Sequence, residues 1–272
     1  MAAEPTTYPE LNEVLRELVG SARAILDRNF CGAYLQGSFA VGDFDAHSDV
    51  DFLIVTHDQV GGGQLIRLQA MHARVHALGI AWAQHLEGSY VPKQALRALD
   101  PARAPYPYLD NGSRELIWSD HDNTAVVRWS LRNHGVVLAG PDPGSLVDPV
   151  TAADLRREVL EVVGEWAKEL QAEPEALNNR WRQPHVVLAY CRALHTLDSG
   201  RVTSKRAAGR WALGALDPDW AGLIQRALDD WPDPWLRVHQ ASDAQAVQRT
   251  WGFVDYAIQV AARYRLAGRL EG

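Results

Sequence analysis

Apolar residues at helical spacing open the chain. Leu11, Val14, Leu15, Leu18, Val19, Ala22 and Ile25 fall on one face and predict an amphipathic helix over residues 8–28. Asn29 to Gly32 breaks it, and Ala33-Tyr34-Leu35-Gln36 reads as a short strand leading into Gly37-Ser38. Past a loop, Phe52-Leu53-Ile54-Val55 is the body of a buried strand that begins with Asp49 and Asp51. The glycine-rich turn His57 to Gly63 precedes a helix over 65–78, with Leu65, Leu68, Met71, Val75 and Leu78 on one face and Gly79 as its stop. Ala81 to Glu87 reads as a third strand ended by Gly88. Residues 92–112, with Pro92, Pro101, Pro105 and Pro107, read as a long loop holding one helical turn at Lys93 to Leu99. Arg114 to Ser119 is expected as a strand, Thr124 to Asn133 as a helix, and Val136 to Gly140 as a strand before the Pro141-Asp142-Pro143-Gly144 turn.

From Thr151 the pattern is helical throughout. Thr151 and Asp154 have the spacing of a capping box, with Asp in place of the usual Glu, opening a helix to about Gln171. Further helices are expected at 184–199, 204–215, 219–230 and 243–266, punctuated by Gly200, Asp217-Pro218 and Pro232-Asp233-Pro234. Strand-like alternation ends near residue 140. The expected fold class is therefore α+β: residues 1–150 with a small mixed sheet, and residues 151–272 an all-α bundle.

Bulk composition narrows the function classes. With 272 residues and 47% hydrophobic content the chain has material for a sizeable core. A net charge of -7 argues against non-specific nucleic-acid binding as the main activity. The sequence lacks an apolar run near the roughly 20 residues a membrane span requires, and Met1 to Glu10 lacks a secretory pattern, so no membrane partner and a cytoplasmic setting are expected. Cys31 and Cys191 sit in apolar stretches and read as reduced core thiols. His72 and His76 are four apart on a helix with no third ligand nearby, and read as a solvated or half-buried pair rather than a zinc site.

The chemistry concentrates in Gly37-Ser38-Phe39-Ala40-Val41-Gly42 and in Ser48-Asp49-Val50-Asp51. Residues two apart on a strand share a face, so Asp49 and Asp51 present two carboxylates to one hard divalent cation. Gly37 allows a close backbone approach to a phosphate, and Ser38 offers a hydroxyl and an N–H at a helix start. Glu87, at a strand end, is placed to join the pair, and three carboxylates with one or two Mg²⁺ ions suit a nucleoside triphosphate. Isolated, Asp-x-Asp is more often a turn or cap. Here Gly-Ser, nine residues, then Ser-Asp-x-Asp running into Phe-Leu-Ile-Val is far more specific than its parts.

These motifs resemble those of the nucleotidyltransferase superfamily, of polymerase-β-like fold, and more closely the aminoglycoside adenylyltransferases that modify streptomycin and spectinomycin. The second half carries the likeness too, in His134-Gly135-Val136-Val137-Leu138-Ala139-Gly140-Pro141, Val186 to Arg192, Gly200 to Lys205 and Ala207 to Trp211. The resemblance implies an N-terminal catalytic domain and a helical domain closing the cleft over nucleotide and drug. It implies Asp49 and Asp51 as magnesium ligands, Glu87 as ligand and catalytic base, and Gly37, Ser38 and Ser48 at the phosphates and metal. Arg192, Lys205 and Trp231 are implied at the nucleotide, and Trp118, Trp181 and His185 at the acceptor. The residues themselves leave alternatives. Lys205 at a helix start opposes the dipole and suits a phosphate or solvent. Arg192 on an apolar helix needs an anion, from a ligand or an internal ion pair. Trp231 suits nucleotide stacking or core packing.

The implied partners are ATP and a small polyhydroxylated amine, with the protein a monomer and AMP passing to an acceptor hydroxyl as pyrophosphate leaves. Where the family grips streptomycin with carboxylates, this chain has Asn178 and Arg182, which turns the expectation toward spectinomycin-like acceptors. Glu173, Glu175, Asp120 and Asp122 are alternative carboxylates for that grip, each read more readily as solvated surface. Two rival functions stand beside this one: transfer to a protein or biosynthetic metabolite, and a nucleotide-binding regulatory or toxin–antitoxin module.

Overall fold

The computed structural model describes residues 4–231, 237 and 240–266. The chain divides into two compact units, Met1–Pro149 and Val150–Gly272. Helices, a small mixed sheet and a helical second half bear out the α+β expectation. The Pro232-Asp233-Pro234 punctuation lies outside the described residues.

In the first unit the helices are α1 (Pro9–Leu26), α2 (Gly37–Ala40), α3 (Gly62–His76), α4 (Lys93–Arg97) and α5 (Ala125–His134). The strands are β1 (Phe30–Leu35), β2 (Val50–Thr56), β3 (Leu86–Pro92), β4 (Tyr106–Leu109), β5 (Leu116–Ser119) and β6 (Val136–Ala139), in spatial order β5-β4-β3-β2-β1-β6. β2 and β3 are parallel, joined through α3, and the remaining pairings are antiparallel. Alternation along β2 sorts the core. Phe52 and Ile54 join Leu11, Leu15 and Leu18 of α1 and Leu68, Met71 and Val75 of α3 on one face. Leu53 and Val55 join Val91, Leu96, Tyr106 and Leu131 on the other. The polar site residues belong to this second face, at the end where β2 and β3 begin.

Three expectations change. Ala81 to Glu87 is not a strand: Ala81–Gln84 forms a 3-10 turn, and the strand runs from Leu86 to Pro92, so Glu87 starts it rather than ending it. Gly88 lies inside β3, because a Cβ there would collide with the backbone of Phe52 on β2. The expected 92–112 loop contains β4. Its prolines hid it; Pro107 is tolerated because pairing with β3 extends only to Tyr108, so the ladder has ended where the N–H is missing.

The second unit contains α6 (Ala152–Ala172), α7 (Arg182–Ser199), α8 (Lys205–Ala215), α9 (Ala221–Asp230) and α10 (Ala244–Leu266). α6 starts with the expected capping box, the Thr151 side chain accepting from Asp154 N and the Asp154 carboxylate accepting from Thr151 N. α7 packs against α6, α8, α9 and α10. Its burial on most sides, Val186 to Cys191 without a polar break, explains a helix apolar nearly all round. It ends at Gly200 in the left-handed conformation (φ 68°). Among the described residues no helix is long and apolar enough to cross a membrane.

His72 also departs from expectation. It is 2% exposed beneath the sheet, with Nε2 2.7 Å from the Tyr90 hydroxyl. Burial pushes its pKa down to about 3. The folded value is depressed below the unfolded one near 6.5, so its contribution to stability is full above pH 6.5 and declines as pH falls toward 3. Between pH 7 and pH 5 this amounts to about 2 kcal/mol. Urea denaturation at both pH values is expected to show that loss in the parent protein and to show it removed in His72→Gln.

Candidate active site

The site is built on the register of β2 and β3. Asp51 lies directly opposite Glu87 in the parallel ladder. In-register residues on neighbouring strands point to the same face, so the two carboxylates are brought side by side. Asp49 precedes β2 by one residue rather than lying on it, and the chain is held there by Val50 N donating to His85 O at 2.8 Å. One oxygen from each of Asp49, Asp51 and Glu87 lies within 4.8 Å of the others. Carboxylates so close repel one another, and a bound divalent cation offsets that repulsion.

Gly37 sits against this group. It opens α2 with φ +57°, and a Cβ there would overlap the Asp51 carboxylate. Glycine is therefore required by the protein's own Asp51, a reason the sequence does not reveal. Gln36 N donates to Asp51 O at 2.9 Å, which ties the turn to β2. Phe39 anchors the turn from below, stacked on Phe44 at 4.5 Å and edge-on to Trp82 at 6.1 Å. The Ser38 hydroxyl oxygen is buried and has no hydrogen-bond partner within the described protein. An orphaned hydroxyl one residue along from the Gly37–Asp51 contact fits a ligand with phosphate oxygens. Ser48 behaves differently: its Oγ accepts from Asp45 N at 2.9 Å and shapes the loop before β2.

Several groups at the site were missed in the sequence. Tyr108 on β4 donates its hydroxyl hydrogen to Glu87 Oε1 at 2.6 Å, and His121 Nε2 lies 3.3 Å from the same oxygen. The hydrogen bond to Glu87 raises the His121 pKa, against a smaller opposing effect of burial. Asp122, expected at the solvated surface, is only 7% exposed. It accepts from Ser89 Oγ at 2.7 Å and Gln36 Nε2 at 3.2 Å, bridging β3 to the residue before Gly37. Burial raises its pKa. Tyr108 escaped notice because β4 did. Asp122 escaped because the polar stretch Ser119 to Asn123 has the composition of an exposed turn.

Within the helical unit a second cluster forms at the start of α7. The Trp181 ring lies 5.4 Å from His185, and His185 lies 6.3 Å from Trp231. Lys205 Nζ is 3.4 Å from His185 Nδ1 and 4.8 Å from the Trp231 ring centre. The Lys205 charge, then burial, then the charges of Arg182 and Arg192 hold His185 well below its usual pKa, so it is neutral. The structure thus groups Trp181, His185, Lys205 and Trp231. Arg182 lies over the Trp181 ring at 5.8 Å. Trp118 is on the edge strand β5, paired with Pro107 and 48% exposed, apart from the carboxylates in the ladder order.

A Gly-Ser turn set against carboxylates at the start of two parallel strands is the arrangement expected of a nucleotidyltransferase. The comparisons carry it further. Residues 145–255 match the family model described as aminoglycoside adenylyltransferase, C-terminal domain. A spectinomycin 9-adenylyltransferase of Staphylococcus aureus is 24% identical over 230 residues, covering 79% of this chain and 80% of the relative. An aminoglycoside (3'') (9) adenylyltransferase of Shigella flexneri is 25% identical over 240 residues, covering 80% and 84%. The crystal structure of spectinomycin adenyltransferase AAD(9) from Enterococcus faecialis with ATP and spectinomycin shares the fold, with TM-score 0.70 at 15% identity over 92% of this chain and 98% of that one. The resemblance read from the sequence is borne out: the chain is an enzyme of the aminoglycoside adenylyltransferase kind, and its second half carries that C-terminal domain.

Gly37→Ala tests the packing of the turn on Asp51. The positive φ costs roughly 1–2 kcal/mol for a residue with a Cβ, and displacing the carboxylate is expected to lower turnover on the order of a hundredfold. Thermal denaturation and Mn²⁺ titration of the variant check both parts: a small drop in melting temperature with strongly weakened metal binding is the expected pair.

Proposed function

We propose that the protein is an ATP- and Mg²⁺-dependent adenylyltransferase that moves AMP to a hydroxyl of an aminocyclitol antibiotic of the spectinomycin type. The observation that carries this reading is the gathering of Asp49, Asp51 and Glu87 within 4.8 Å at the start of β2 and β3. The relatives named above, adenylyltransferases of spectinomycin and aminoglycosides, support the substrate class.

In this reading Asp49, Asp51 and Glu87 hold the metal. Mg²⁺ supplies Lewis-acid stabilisation of charge on the triphosphate. Ser38 donates its hydroxyl to a phosphate oxygen, and Gly37 leaves the backbone open beside it. Glu87 takes the proton from the acceptor hydroxyl. That oxygen attacks the α-phosphorus in line, the bond to the bridging oxygen of the β-phosphate breaks, and pyrophosphate leaves. Arg192 and Lys205 are assigned to the phosphates, Trp231 to the nucleotide, and Trp118, Trp181 and His185 to the acceptor. Arg182 at the start of α7, with Lys205 beside a neutral His185, makes that cluster cationic. A cationic cluster opposes a guanidinium-bearing acceptor such as streptomycin and accepts spectinomycin more readily.

A panel containing spectinomycin, streptomycin and unrelated hydroxylated amines, incubated with Mg·ATP and read by mass, tests the proposal. An adenylyl mass gain on spectinomycin with pyrophosphate release is expected, abolished by EDTA. Glu87→Gln is expected to lose turnover by at least about a hundredfold while still binding ATP. Label on protein alone, or no pyrophosphate with any acceptor, refutes the antibiotic reading.

A further inference from the structure

We propose that Tyr108 is a positioning residue for Glu87, fixing the direction in which the carboxylate faces the acceptor hydroxyl; this rests on the reading of Glu87 as the base.

Tyr108 pairs with Ser89 in the antiparallel β3–β4 ladder. Glu87 is two residues before Ser89, so the phenol and the carboxylate share one face as diagonal neighbours, within reach of a long side chain. The contact is short, Tyr108 Oη to Glu87 Oε1 at 2.6 Å. The phenol carries one hydrogen. Its second acceptor, Asp110 Oδ1, is farther at 3.2 Å, so the geometry awards the hydrogen to Glu87. Tyr108 is 4% exposed, which limits competition from water. His121 stacks on the phenol with ring centres 5.0 Å apart, restricting its rotation, and meets the same Oε1.

A glutamate has three rotatable side-chain bonds. A donor fixed on Oε1 sets the last of them, and with it the direction of Oε2. A base helps only when its oxygen lies along the line of the departing proton, so an orienting bond acts on the chemical step more than on nucleotide binding. No resemblance to a motif identifies Tyr108; its place in the ladder does.

Tyr108→Phe keeps the ring and its stack and deletes only the hydroxyl. With the full-length protein, Mg·ATP and spectinomycin, kcat is expected to fall by about ten- to a hundredfold, the range for losing a hydrogen bond to a charged group. The melting temperature and the Mg·ATP dissociation constant from titration calorimetry are expected to stay close to the parent values. In a Glu87→Gln background the same change is expected to alter the residual turnover by less than about twofold, because a residue acting through Glu87 has nothing left to orient. Unchanged kcat in Tyr108→Phe overturns the proposal. So does an equal loss in both backgrounds, or a loss of kcat matched by weakened Mg·ATP binding. Full turnover in Glu87→Gln alone refutes the base assignment and the positioning role with it. An inactive Glu87→Gln beside an unimpaired Tyr108→Phe refutes only the positioning role.

Discussion

Asp51 and Glu87 stand level with each other across two parallel strands, and the site depends on that register. A slip of one residue would turn one carboxylate to the opposite face of the sheet. What prevents the slip is the core on both sides of β2: Phe52 and Ile54 are committed to the α1–α3 face, and Leu53 and Val55 to the α5 face. Apolar burial at four successive positions therefore holds two charges where electrostatics alone would push them apart. The carboxylates sit at the strand starts, where the core gives way to polar groups.

Around the carboxylates lies a layer of polar groups that answer their lone pairs. Tyr108 and His121 meet Glu87, while Ser89 and Gln36 meet Asp122. Asp122 matters because it is buried: a carboxyl group taken out of water needs donors, and here the donors come from β3 and from the end of β1. The hydrogen bonds that satisfy it also link β3 to the turn carrying Gly37 and Ser38. Satisfying a buried acid and bracing the turn are accordingly one interaction.

The helical unit meets a different constraint. α7 is buried on most sides, and Trp181, His185, Lys205 and Trp231 assemble around its first turn. Lys205 lies over the Trp231 ring and beside a neutral His185, whose other ring neighbour is Trp181.

The periodicity of the chain placed the longer helices, with ends shifted by about three residues at most. Thr151 with Asp154, Ser204 before Lys205, and Gly200 after Ser199 are local chemistry, capping or a left-handed turn, and local chemistry is written in local sequence. The triad was legible for a similar reason: Asp49 and Asp51 are neighbours, and Glu87 lies one crossover away. Tertiary structure decided the rest. β4 lies among prolines and gains its place only from β3 and β5; Tyr108 meets Glu87 through that pairing, not through any spacing along the chain. His72 and Asp122 look like surface residues and are buried, because burial follows which face of an element meets another element. Gly37 reads as a phosphate turn, yet the side chain crowding it is Asp51, fourteen positions on in sequence. One-dimensional pattern carries what a residue does to its own helix or strand; what it touches across the sheet is set by packing, which pairs residues the sequence keeps apart.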